Sequence, residues 1–171
     1  RNPQMGFSVG KVFKPIELEM NKNCEVDSIE LPCSNYAIKS LIANIKYVKK
    51  QIKTKHYDII HITGTEHYLL PFLQKEKTVM TVHDLGFYTN NKKGIRSWIK
   101  YLLWIRTLPL ARYVTFISNK SKAEAENFIQ FKEEKVSVIY DPISNEYTYH
   151  PKIINTKYPT ILHLGTNPHK N

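Results

Sequence analysis

The chain has little cysteine. Its 171 residues include only Cys24 and Cys33. Without a second pair these suggest neither a disulfide framework nor a cysteine zinc site, and both read as packing residues. Long apolar runs are also missing. No stretch approaches the roughly 20 residues that a spanning helix needs, and the first residues lack the layout of a signal peptide, so the cytosol is the expected compartment. Glycine is scarce, with six residues, and no G-x-G-x-x-G follows a strand. That absence argues against an oxidoreductase or sugar-nucleotide epimerase of the dinucleotide-binding type. Acidic residues number 15 against 25 lysines and arginines, for a net charge of +10. Such an excess attracts anionic partners, whether nucleic acid, an acidic membrane surface or phosphorylated substrates, although lysine-rich surfaces also serve solubility alone.

Hydrophobic residues make up 42% of the chain, enough for one full-sized core and the first piece of another. Short β-branched runs alternate with longer segments of helical period. The expected strands are Cys24 to Leu31, Tyr57 to Thr63, Thr78 to Val82, Tyr113 to Ser118, Lys135 to Tyr140 and Thr160 to Leu164. Several, such as Ile59-Ile60-His61-Ile62, are apolar on successive residues, which suits strands of a parallel sheet covered on both faces. Between them, Ile38, Leu41, Ile42, Ile45, Val48 and Ile52 recur at helical spacing with lysines opposite. Further helices are expected from Gly94 to Ala111 and from Lys120 to Phe131, the latter capped by Ser118 or Asn119. This alternation selects a doubly wound α/β fold, in which ligands sit beyond the carboxyl ends of the strands. Residues 1–150 are expected to form one domain with its first strand missing, and 151–171 a linker and the start of a second.

The segments Asp58 to Glu66, Thr81-Val82-His83-Asp84-Leu85, Thr115-Phe116-Ile117-Ser118 and Ile161-Leu162-His163-Leu164-Gly165-Thr166, followed by Lys170-Asn171, stand in one order. As an ordered set they resemble glycosyltransferase family 4. The resemblance implies the GT-B fold of two facing Rossmann-like domains, an N-terminal domain that contacts the acceptor, a C-terminal domain that grips the sugar nucleotide, and retention of anomeric configuration. No metal or other cofactor is implied. The substrates would be a nucleoside-diphosphate-sugar donor and a glycan or lipid-linked acceptor, as in capsular or lipopolysaccharide synthesis.

His83 follows a strand, and the resemblance implies that it faces the donor sugar, where its ring and backbone carbonyl support charge at the anomeric carbon. Asp84 accompanies it as the second catalytic candidate. Lys170, with Gly165, Thr166 and Asn171, lies where the family binds the donor diphosphate; the arginine often found there is replaced by Thr166 and Asn167. The first loop has Met5-Gly6-Phe7-Ser8 in place of paired glycines, so Gly6 offers the close backbone approach and Ser8 the helix cap, both beside the acceptor. Gly64, Thr65, Glu66 and His67 follow another strand: Gly64 permits a sharp exit, Thr65 can cap the next helix, and Glu66 and His67 can bind acceptor hydroxyls. A metal site from His61 and His67 is rejected on ligand spacing.

Lys92, Lys93, Arg96 and Lys100 cluster around a helix that carries Trp98, Tyr101 and Trp104. Trp98, Tyr101, Leu102 and Ile105 read as its core-facing stripe, leaving the basic rim and Trp104 for an anionic membrane surface. The alternative from another class is a basic nucleic-acid-binding module, supported by the charge and by 11 tyrosines. No nucleic-acid-binding signature accompanies them.

Overall fold

The computed structural model describes residues 7–89, 94–143, 148–151 and 156–158. In chain order the elements are helices α1 (Phe7–Met20) and α2 (Ile38–Thr54), strands β1 (Ile60–Ile62) and β2 (Thr78–Val82), helices α3 (Gly86–Thr89) and α4 (Ile95–Lys100), strand β3 (Tyr113–Phe116), helix α5 (Asn119–Glu126) and strand β4 (Val136–Val138). Short 3-10 turns lie between β1 and β2, at His67–Phe72 and Lys75–Lys77. All four strands are parallel, in the order β1-β2-β3-β4. This is the expected α/β architecture. The expected segment Thr160 to Leu164 lies outside the described residues.

Registration assigns the two faces of the sheet different chemistry. Ile60 pairs with Thr78, Met80 with Val114 and Phe116 with Val138, so Ile62, Met80, Val82, Val114 and Phe116 share one face. All five are at most 7% exposed and belong to one core with Val48, Leu70, Trp104, Ile105, Leu108 and Ala125. Burying a side chain of this kind stabilises the fold by roughly 1.5–3 kcal/mol. The opposite face is polar. There His61 Nε2 meets Thr81 Oγ1 at 2.8 Å, and Thr81 Oγ1 meets Thr115 Oγ1 at 2.8 Å, so these hydroxyls pair across three strands instead of wasting their hydrogen bonds. Phe13 of α1 covers part of this face, its ring edge-on to His61 at 5.6 Å and to His83 at 5.9 Å. Both faces are thus covered as expected, one by apolar packing and the other by hydrogen bonds and Phe13.

Cys24 to Leu31 does not form the expected strand. A groove of 430 Å³, lined by α1, by residues of this segment and by β1, runs along it. Side chains tie the segment down instead: Lys55 Nζ donates to Glu25 Oε1 at 2.6 Å and to Asp27 Oδ2 at 2.8 Å, and Tyr57 Oη donates to Asp27 at 2.9 Å. The two acids, at alternate positions, share the Lys55 ammonium in an exposed ion-pair cluster. Cys24, expected to pack, is exposed.

Asn44 explains how α2 is docked. It is 1% exposed, accepts from Cys33 N at 3.1 Å, and donates to Cys33 O at 3.0 Å and to Tyr68 Oη at 2.9 Å. Every polar atom of that side chain is used, which offsets its burial. At the other end of the sheet Ser118 caps α5 by accepting from Ser121 N at 3.1 Å, so the choice between Ser118 and Asn119 falls on the serine.

The segment from Gly94 to Ala111 breaks its expected face. Tyr101–Ile105 forms a π-turn, followed by a 3-10 turn at Leu108–Leu110. A π-turn inserts one residue's worth of rotation. As a result Trp104 is buried at 6% exposure, whereas Trp98 is 58% exposed and Ile95 and Ile99 are open with it. The two tryptophans thus exchange the roles that a regular helical period assigns them. Among the described residues, no helix is long and apolar enough to cross a membrane.

Candidate functional site

Three strand ends converge at the carboxyl edge of the sheet, where an α/β fold places ligands. His83 follows β2 directly. Its Nε2 lies 3.0 Å from the Thr63 carbonyl at the end of β1. A carbonyl only accepts, so Nε2 carries a hydrogen and this bond fixes the orientation of the ring. Nδ1 faces Asp141 Oδ2 at 3.9 Å, beyond β4, and the His83 side chain is 15% exposed. One ring nitrogen is therefore spent on fixing orientation while the other faces the strand ends. Asp141 is a partner that the sequence flagged only by its place after a strand.

Asp84 is exposed, and its Oδ1 accepts from Gly86 N at 2.9 Å, which starts α3. This Asx-turn holds the loop that carries His83. The structure brings Asp84 next to the histidine in sequence but turns one carboxylate oxygen to its own backbone.

At the end of β1, Gly64 leaves room for a carboxylate: a Cβ at that position would collide with Glu66 Oε2. Glu66 is 5% exposed, and burial pushes its carboxyl pKa above the usual range. Thr65 does not cap the following 3-10 turn, whose N-cap is Glu66 with no side-chain bond. Instead its hydroxyl meets Tyr36 Oη at 2.8 Å, and its carbonyl accepts from Trp104 Nε1 at 2.7 Å. His67 is 1% exposed and donates from Nδ1 to the Trp104 carbonyl at 2.6 Å. Burial lowers its pKa to about 4, so it is neutral at physiological pH. His67 thus stands in the core beneath the site, whereas Thr65 and Glu66 border the strand ends. Tyr36 and the supporting role of Trp104 were missed by sequence reasoning, and Asp141 stood out only as a residue that follows a strand. Tyr36 precedes α2 in a loop without periodicity, and only the fold brings it 29 residues forward to Thr65.

Gly6, Gly165, Thr166, Lys170 and Asn171 lie outside the described residues; so does the side chain of Ser8, whose backbone is in α1.

The profile of Glycosyltransferase Family 4 matches residues 14–147, more than three quarters of the chain. The chain belongs to glycosyltransferase family 4. That range takes in every strand described and each of His83, Asp84, Gly64, Thr65, Glu66 and His67. Membership means a glycosyltransferase domain, with a sugar donor and an acceptor as its substrates. No curated protein and no solved structure matches the chain. The parallel sheet of this family 4 domain, with helices packed on it, is consistent with the N-terminal half of a GT-B enzyme.

Proposed function

We propose that this family 4 domain is the acceptor side of a retaining enzyme that moves a hexose-type sugar from a nucleoside diphosphate to a glycan or lipid-linked acceptor in cell-surface polysaccharide synthesis, at the cytoplasmic face of a membrane. The observation that carries the reading is His83, pinned through Nε2 at the carboxyl end of β2 with Nδ1 facing Asp141 beyond β4. A preorganised ring there stabilises charge as the glycosidic bond loosens. Asp84 supports it by fixing the loop. Thr65 and Glu66 hold acceptor hydroxyls, with Gly64 making space for the carboxylate and His67 supporting them from below; Gly6 and Ser8 border the same acceptor. Lys170, with Gly165, Thr166 and Asn171, neutralises the departing diphosphate. The reaction draws on this lysine and on helix termini in place of a bound metal. To test it, the intact enzyme is incubated with a panel of nucleoside-diphosphate sugars and nucleoside diphosphate release is followed. Release from at least one of them is expected, and silence across the panel would sink the reading.

Membrane association rests on a separate observation. Ile95 is 70%, Trp98 58% and Ile99 45% exposed, with Arg96 and Lys100 on the same short helix. Indole and aliphatic groups beside cations suit an anionic lipid interface, each cation contributing on the order of 1 kcal/mol. Sedimentation with anionic liposomes should show binding that weakens with added salt, since screening acts over about 8 Å at physiological ionic strength. Trp98→Ala should weaken it further, whereas equal binding to neutral vesicles would contradict it.

A further inference from the structure

Tyr36 is unusual among the aromatic residues of the site, because it is both held and open. Its ring lies perpendicular to that of Trp104, with centroids 5.3 Å apart. Its hydroxyl is bonded to Thr65 at 2.8 Å. Trp104 is itself anchored by its bond to the Thr65 carbonyl and by packing against Tyr68 at 5.5 Å. Yet Tyr36 remains 41% exposed. A side chain fixed at both ends has already lost its rotamer entropy on folding, so a ligand that covers it loses little further freedom in the protein.

The surroundings indicate what would cover it. An apolar ring surface is offered beside a threonine and a buried carboxyl, Glu66, at the end of β1. A pyranose has the matching pair of chemistries: a face of C–H bonds and a rim of hydroxyls. Stacking places the C–H face on an aromatic ring and sends the rim to polar neighbours. A nucleotide base would also stack, but Thr65 and Glu66, the two residues beside this ring, offer no positive charge to the phosphates that a base brings with it.

We propose that Tyr36 is a stacking platform for a pyranose ring of the acceptor, with Thr65 and Glu66 taking its hydroxyls. The inference rests on the transferase reading above and adds the residue that selects a sugar ring on the acceptor side. Saturation-transfer NMR on the intact enzyme tests it, with methyl β-D-glucopyranoside and methyl β-D-galactopyranoside as probes. Transfer to the ring C–H protons of at least one glycoside is expected. Tyr36→Ala should weaken that binding by about tenfold, whereas Tyr36→Phe, which keeps the ring and drops the hydroxyl bond, should retain most of it. Thermal melts of both variants report whether the fold is kept. No transfer from the wild type to either glycoside, or a folded Tyr36→Ala that binds as the wild type does, overturns the platform. Nucleoside diphosphate release separates this failure from failure of the transferase reading. An enzyme that releases diphosphate but ignores Tyr36→Ala remains a transferase without this subsite, and one that releases none loses the reading itself.

Discussion

In the intact enzyme, His83→Ala is expected to lower kcat by roughly 10²-fold or more while donor KM changes much less, the scale for losing one preorganised polar group. The geometry explains why the loss should fall on turnover. The ring is oriented by the Thr63 carbonyl, flanked by Phe13 and faced by Asp141, so it is already in place before substrate arrives. A group that need not reorganise contributes most where charge develops, and little to ground-state binding. Lys170→Ala should differ, because a cation on the diphosphate also binds the ground state, so donor affinity and turnover should fall together. Steady-state kinetics on variants with wild-type circular dichroism distinguishes the two patterns. A folded His83→Ala enzyme with near-native turnover would reduce this histidine to a strand-end residue bonded to a carbonyl.

The second large effect is on stability. Trp104→Ala should destabilise the domain by about 3–5 kcal/mol, the range for truncating a buried tryptophan. Trp104 is 6% exposed, touches Tyr36 and Tyr68, donates to Thr65 and accepts from His67. Trp104→Phe would restore much of the packing but leave the Thr65 carbonyl without the indole N–H, at a cost of roughly 1–3 kcal/mol. Urea denaturation would show the ranking as successive falls in the midpoint. Equal midpoints for the wild type and Trp104→Phe would show that the indole hydrogen bond contributes nothing net.

Much of this fold was legible because its central elements obey simple periods. Thr78 to Val82 was delimited by composition alone, and α2 by the 3.6-residue recurrence of Leu41, Ile45, Val48 and Ile52. The strands beside it shortened to Ile60–Ile62, Tyr113–Phe116 and Val136–Val138, since strand ends depend on neighbours that local sequence does not specify. Trp98 and Trp104 exchanged faces because the π-turn at Tyr101–Ile105 shifts the helical phase, and no residue type announces such a turn. For the site, strand-end reasoning found His83 and the Gly64 to His67 loop. It did not separate Glu66, whose carboxylate lies against Gly64 at the end of β1, from His67, bonded to the Trp104 carbonyl, because both are buried and only tertiary packing decides what each side chain meets. Tyr36 and Asp141 reach the site by tertiary contact.

The strand order β1-β2-β3-β4 has a kinetic corollary. Among the described strands each neighbours the one made just before it, so each of these pairings closes only the intervening connection. Parallel sheets usually fold slowly because their contacts span long loops. Here the apolar face can be laid down strand by strand from Ile60 to Val138 as the chain leaves the ribosome, each crossover covering the new strand before the next one appears. An edge that is extended in synthesis order is exposed for one step at a time, and the interval in which it could recruit a strand from another nascent chain is correspondingly short.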